Sequence, residues 1–355
     1  MNKKEKALFK ALCKFEEDKF DADLLAYASP EVLGHLFANR MQGVAFGTLK
    51  KHHLLEKVNR EFQNSLAYAC EQNARKNESF YQCVAMLNDI LSPCDCPIAM
   101  LKGAYLCSRY PVGYRTCNDV DLLVSASDVT TVGKLLSKAG FLQGNIRNGE
   151  FVPATRQEII SSRMLRGETV PYIKEVGLPF MKFFEVDINF SLDYKNETDN
   201  LVEKLLSKVC RKQTAAGWIP TLCDKDFFLH LCAHLYKEAT TLPWIKMGRD
   251  MTLYKYCDIY MLLTQSSDDQ MQQILQRSLD LGLEKVCAYA ILETIELFEM
   301  DKTRIAQWAI ETLANEPNFR LQVTSPAEKV IFQYQTQNAS KRFFMKSRIT
   351  DLKEV

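Results

Sequence analysis

The chain has 355 residues, 47% of them hydrophobic and 25% charged, an ordinary globular composition long enough for two or three domains. Lys and Arg total 45 against 44 Asp and Glu, so the net charge of +1 excludes a global basic field for nucleic acid while leaving room for a local patch. There is no acidic-tail block, and no run approaches the roughly 18 apolar residues of a membrane span.

The opening segment, MNKKEKALFKALCKFEEDKF, is charged throughout, unlike a secretory signal, and points to a cytoplasmic protein without a membrane partner. Twelve scattered cysteines favour reduced, mostly buried thiols, and the close pair Cys94 and Cys96 lacks the second pair of a zinc site. From residue 1 to about 93, apolar residues recur at three- and four-residue spacing, which predicts helices. Pro97 and Gly103 then bracket PIAMLKG, a short apolar run expected to be a strand. A few helical residues follow, then Tyr110-Pro111 and a turn at Gly113. A second strand is expected over residues 118–124, NDVDLLV. The next segment, VTTVGKLLSKAGF, reads as an amphipathic helix closed by Gly140. A polar stretch leads to a third strand over residues 180–193, FMKFFEVDINFSLD. Helical periodicity returns from about 197, clearest in DKDFFLHLCAHLYKEA and LYKYCDIYMLLTQ. The plan has three regions: helical 1–95, an α/β core 96–195, and helical 196–355. The fold class is α+β, a small mixed sheet flanked by helices.

The second strand carries the chemistry. Side chains alternate along a strand, so Asp119 and Asp121 share one face and Val120, Leu122 and Val124 the other. The two carboxylates then stand about 7 Å apart and repel, and hard oxygen ligands of this kind suit Mg²⁺ carrying phosphates. The string alone is not specific. Residues 21–25 repeat D-x-D-L-L, and there it opens a helix, where Asp caps free N–H groups.

Context distinguishes the two. Leu101-Lys102-Gly103-Ala104, Gly113-x-Arg115, Asp119-x-Asp121-Leu-Leu-Val and the helix end at Gly140-Phe141 together resemble the nucleotidyltransferases of the DNA polymerase β type. They look closest to the bacterial group of uncharacterised nucleotidyltransferases. The resemblance extends over residues 184–190, the helix around His230 and His234, and Asp258-Ile259. It implies a nucleotidyltransferase core in which Asp119, Asp121 and Asp187 are catalytic metal ligands, with Glu185 the alternative third ligand two positions away. Lys102, Gly103, Ala104 and Arg115 would contact the donor triphosphate, Arg115 through its fork geometry and Gly103 through close backbone approach. The implied cofactor is Mg²⁺ (or Mn²⁺). The implied reaction moves NMP from an NTP such as ATP to a hydroxyl acceptor, a small molecule or protein in preference to nucleic acid. Two alternatives stand beside it: a nucleotide-binding pseudoenzyme or scaffold, and an RNA-end nucleotidyltransferase. His230 and His234 have zinc-like i, i+4 spacing but no third ligand in sequence, so helix packing is expected. The basic-aromatic segment KRFFMKSR, residues 341–348, reads as the end of an amphipathic helix or a phosphate-backbone contact.

Overall fold

The computed structural model describes residues 1–165, 167–192, 200–301, 303–325 and 328–355. Asp193, the last residue of the expected third strand, lies outside them. The chain forms two compact units, one of residues 1–69 with 228–355 and one of residues 70–227. Both crossings fall inside helices, Arg60–Leu91 and Asp224–Ala239. The boundaries expected after residues 95 and 195 both lie within the second unit.

The second unit is built on a six-stranded sheet. Its strands are β1 (Ala99–Met100), β2 (Asp119–Leu123), β3 (Leu142–Arg147), β4 (Glu150–Pro153), β5 (Tyr172–Leu178) and β6 (Met181–Asn189). The order is β1-β2-β6-β5-β3-β4. β2 and β6 run parallel and the other pairs antiparallel, so the sheet is mixed, as the fold class requires. Val120, Leu122, Phe184, Val186 and Ile188 are fully buried on one face. Phe80 of helix Arg60–Leu91 meets Phe184 edge-on at 6.5 Å, and Phe141 does so at 6.1 Å. Helix Val129–Lys138 covers the same face so closely that a Cβ on Gly133 would lie 2.4 Å from the Tyr172 hydroxyl.

The expectation of helix from about residue 197 is corrected first at β7 (Val209–Thr214) and β8 (Gly217–Leu222), an antiparallel hairpin. Its turn needs Gly217 at φ +93, and Thr221 Oγ1 donates to the Met100 carbonyl of β1 at 2.6 Å.

The first unit is mainly helical: Lys3–Cys13, Pro30–Ala38, Gln42–Lys51, Leu253–Gln265, Asp268–Asp280, Glu284–Phe298 and Thr303–Thr312. Asp21 caps the short helix Ala22–Tyr27 by accepting from the Asp23 N–H, the role expected of that D-x-D-L-L string. Near the C-terminus the chain leaves helix again for a three-stranded sheet, ordered β11 (Leu352–Glu354), β10 (Val330–Tyr334), β9 (Gln322–Ser325). In the KRFFMKSR segment Arg342 is buried and ion-paired with Glu293, while Arg348 forks onto Asp250 at 2.6 Å. His230 and His234 stack at 6.4 Å, and His234 Nε2 lies 3.3 Å from Glu238, consistent with packing. Cys94 and Cys96 are placed as a disulfide, which corrects the expectation of free thiols for that pair; the other ten cysteines are free. Among the described residues no helix is long and apolar enough to cross a membrane.

Candidate active site

The parallel register of β2 on β6 decides which polar side chains meet. Asp119 stands opposite Glu185, Asp121 opposite Asp187 and Leu123 opposite Asn189. Partners in a strand pair share a face, so four carboxylates and one amide occupy the side of the sheet away from the apolar core. A fifth carboxylate joins them. Glu168 forms an isolated antiparallel bridge with Asn189 and so projects to the same side. It lies in a segment without strand periodicity, where sequence reading has no signal for it.

Asp121 is 5% exposed, and its Oδ1 accepts from Lys102 Nζ at 2.8 Å and from Asn189 Nδ2 at 3.2 Å. Lys102 reaches it because β1 pairs with β2: the Leu101 N–H donates to the Asp121 carbonyl at 2.8 Å. The backbone of Lys102 has φ 46 and ψ −117, a conformation that costs a non-glycine residue about 1–3 kcal/mol. It is held there by β1 on one side and helix Gly103–Leu106 on the other. Asp119 is partly buried, and its Oδ1 accepts from the Cys117 thiol at 3.1 Å.

These surroundings penalise negative charge. Burial pushes the Asp187 carboxyl well above the ordinary range, and Asp121, Asp119 and Glu168 push it further, while Lys102 opposes them. Burial, then Asp119, raises Glu185 in the same way. The Cys117 thiol is pushed far up, first by burial and then by Asp119. Even so, among the described residues no three His, Cys, Asp or Glu side chains converge tightly enough to hold a metal ion in this arrangement. The hydrogen bonds give the reason: Asp121 Oδ1 is turned to Lys102 and Asn189, and Asp119 Oδ1 to Cys117.

Of the residues expected at the site, the structure thus brings together Asp119, Asp121, Asp187 and Lys102, with Glu185 alongside. The other three are placed differently. A Cβ on Gly103 would lie 2.1 Å from Cys117 Sγ and 2.5 Å from its Cβ, so packing against Cys117 demands the glycine. Ala104 is fully buried and its N–H is spent on the Leu101 carbonyl at 3.3 Å. Arg115 is 7% exposed, and its guanidinium donates to the Thr116 carbonyl while Asn77 Nδ2 holds its own carbonyl at 2.8 Å.

The second unit is thus α+β, its mixed sheet apolar on one face and crowded with carboxylates on the other. The chain belongs to the family of uncharacterised nucleotidyltransferases, whose profile matches residues 30–299. Among solved structures it is similar to an antigenic nucleotidyltransferase-like protein from Paracoccidioides brasiliensis. That match has 15% identity and a TM-score of 0.31, over 58% of this chain and 92% of that one, too distant to add to the family match. No curated protein matches the chain.

Proposed function

We propose that this chain is a metal-dependent nucleotidyltransferase of the DNA polymerase β type, moving NMP from an NTP to the hydroxyl of a small-molecule or protein acceptor. The observation that carries the reading is the register setting Asp187 opposite Asp121, on a carboxylate face, in a chain of a nucleotidyltransferase family. The donor set fits a cation. The Lys102 ammonium already stands 2.8 Å from Asp121 Oδ1, and the repulsion from Asp121, Asp119 and Glu168 that adds to burial in raising the Asp187 carboxyl is what a divalent ion relieves. Asp119, Asp121 and Asp187 would hold Mg²⁺ or Mn²⁺, which when bound neutralises triphosphate charge and acidifies the acceptor hydroxyl.

The chain's own part is positioning. Asn189 keeps Asp121 oriented, and Lys102, set on a strained backbone beside it, serves the donor phosphates once released from that carboxylate. Arg115 would join them by turning from the Thr116 carbonyl. The acceptor oxygen forms a bond to the α-phosphorus, the bond from that phosphorus to the bridging oxygen breaks, and pyrophosphate leaves. The hydroxyl proton passes to a carboxylate of this face.

A nucleotide-binding scaffold is the second reading, favoured by one observation: Lys102 engages Asp121 as a fixed ion pair would. Incubation with each NTP and Mg²⁺, read by pyrophosphate release and intact mass of protein and candidate acceptors, separates the two. Transfer is expected. NTP binding with no release across acceptors supports the scaffold, and no binding of any NTP overturns both.

A further inference from the structure

The first unit contains a groove of about 660 Å³ whose lining is unusually basic. Lys3, Lys6 and Lys10 follow one stripe of helix Lys3–Cys13 at three- and four-residue spacing, and Lys14 continues it; Lys19 and Lys341 complete the set. Each step of that stripe is about one helical turn, roughly 5 Å, so four ammonium groups are spread over about 16 Å. Three carboxylates share the lining. Glu299 pairs with Lys10 at 2.6 Å, Glu17 with Lys14 at 3.4 Å, and Asp21 is occupied as a helix cap. Lys3, Lys6, Lys19 and Lys341 form no ion pair among the described residues. Lys3 also sits in the first turn of its helix, where the macrodipole disfavours a cation.

Aromatic faces are set between these charges. Lys6 Nζ lies 5.0 Å and Lys10 Nζ 6.0 Å from the centre of the Phe344 ring, which Phe9 and Phe343 hold edge-on at 5.9 and 4.8 Å. Phe20 lines the groove as well, its ring 5.7 Å from His52. A row of cations about one phosphate spacing apart, with half-buried rings lining the same concave channel, fits a backbone that carries flat bases. An anionic membrane would meet a flat or convex face, and an acidic peptide has no use for the rings.

We infer that this groove binds a single-stranded nucleic acid, with Lys3, Lys6, Lys19 and Lys341 on the phosphates and Phe344 and Phe20 stacking bases. The inference goes beyond the transfer reaction and does not rest on it, since the groove contains none of the residues proposed for that chemistry.

The test is fluorescence anisotropy of the whole protein with a labelled oligouridylate of about 12 nucleotides, in chelator and without NTP. A DNA strand and a duplex of the same length are run beside it. Binding at about 50 mM salt is expected, with a log–log salt slope near −3 for four phosphate contacts. Lys6→Glu with Lys341→Glu should weaken binding more than tenfold and flatten the slope. Phe344→Leu should weaken it about tenfold with the slope unchanged. Should Phe344→Leu melt early, Phe20→Leu takes its place. Three results each overturn the inference: no strand binding, wild-type affinity in a stably folded Lys6→Glu/Lys341→Glu variant, or tighter capture of polyglutamate or anionic vesicles than of the strand. Loss of pyrophosphate release with strand binding intact would strike the transfer reading alone.

Discussion

Asp121 is the residue on which most of the site turns, because it is buried, faces Asp187 and carries both a lysine and an amide on one oxygen. Asp119→Asn and Asp121→Asn should each leave the fold standing and abolish pyrophosphate release, since the shape is kept and one anionic ligand is lost. Wild-type turnover in either variant would end the mechanism. Lys102→Ala should destabilise the chelated protein by about 1–3 kcal/mol, because Asp121 is left buried beside other carboxylates, and added Mg²⁺ should restore part of the loss. A chemical melt in chelator and in Mg²⁺ checks it; equal losses in both would make Lys102 purely structural. Asp187 supplies the pH test. Its folded carboxyl is raised by burial and by Asp121, Asp119 and Glu168, so its contribution to stability is complete below the ordinary carboxylate range, near pH 4, and is lost as pH climbs through the raised value. In chelator, wild type should therefore lose melting temperature with rising pH more steeply than Asp187→Asn. Identical slopes would mean that Asp187 is ionised at no cost.

Among the elements, β2 and β6 could be read directly, because DVDLL is a short apolar run, buried at its last four positions, and MKFFEVDIN combines aromatic and β-branched residues with burial that alternates along most of its length. Their partnership could not. Adding β6 to β2 beside its sequence neighbour β1 depends on tertiary packing, and with it goes the arrival of Glu168 at Asn189; the Lys102–Asp121 contact, 19 residues apart in the chain, follows from β1 on β2. β3 and β4 escape apolar periodicity because they are mostly exposed or half-exposed. The readable mark is Asn148-Gly149, both at positive φ, the strongest dipeptide signal of a two-residue hairpin. β7 hides for the same reason, and the mark of its hairpin with β8 is Gly217 at positive φ. Gly103 was legible as a required glycine, but its cause is steric: Cys117, fourteen residues on, fills the space of a side chain. Gly103→Ala should cost about 1–3 kcal/mol, and Cys117→Ala should not rescue it, because the Cys117 Cβ alone would stand 2.5 Å away. Thermal melts of the single and double variants settle this; full rescue by Cys117→Ala would place the conflict at the sulfur.

At the scale of the whole molecule, a net charge of +1 conceals strong local separation, with carboxylates gathered on one sheet face of the second unit and lysines along one helix of the first. Composition averages the two away, which is why neither can be weighed from totals. The first unit also carries a buried ion network: Glu293, fully buried, meets Arg342 and, at 2.8 Å, Arg320. Arg342→Met should destabilise by about 3–5 kcal/mol, because Glu293 loses a partner it cannot replace with water, and Glu293→Gln added to it should recover part of that cost. Additive losses in the double variant would show that the pair is not coupled.

The division of the chain has a consequence for the order of its birth on the ribosome. Residues 1–69 form their unit with residues 228–355, through contacts such as Phe9 on Phe343 at 5.8 Å, the Leu253 N–H on Asn39 at 3.1 Å and Lys10 on Glu299. The whole of 70–227 emerges before any of these partners exists. The opening helices therefore wait, their apolar faces uncovered, while the intervening unit gathers its sheet, and closing so long a span entropically costs about 4 kcal/mol if that unit is still unfolded. An insert that folds early shortens the span, because a compact unit is far smaller than its unfolded chain. Damage to β2 or β6 would then be felt first as slow completion of a unit that contains neither strand.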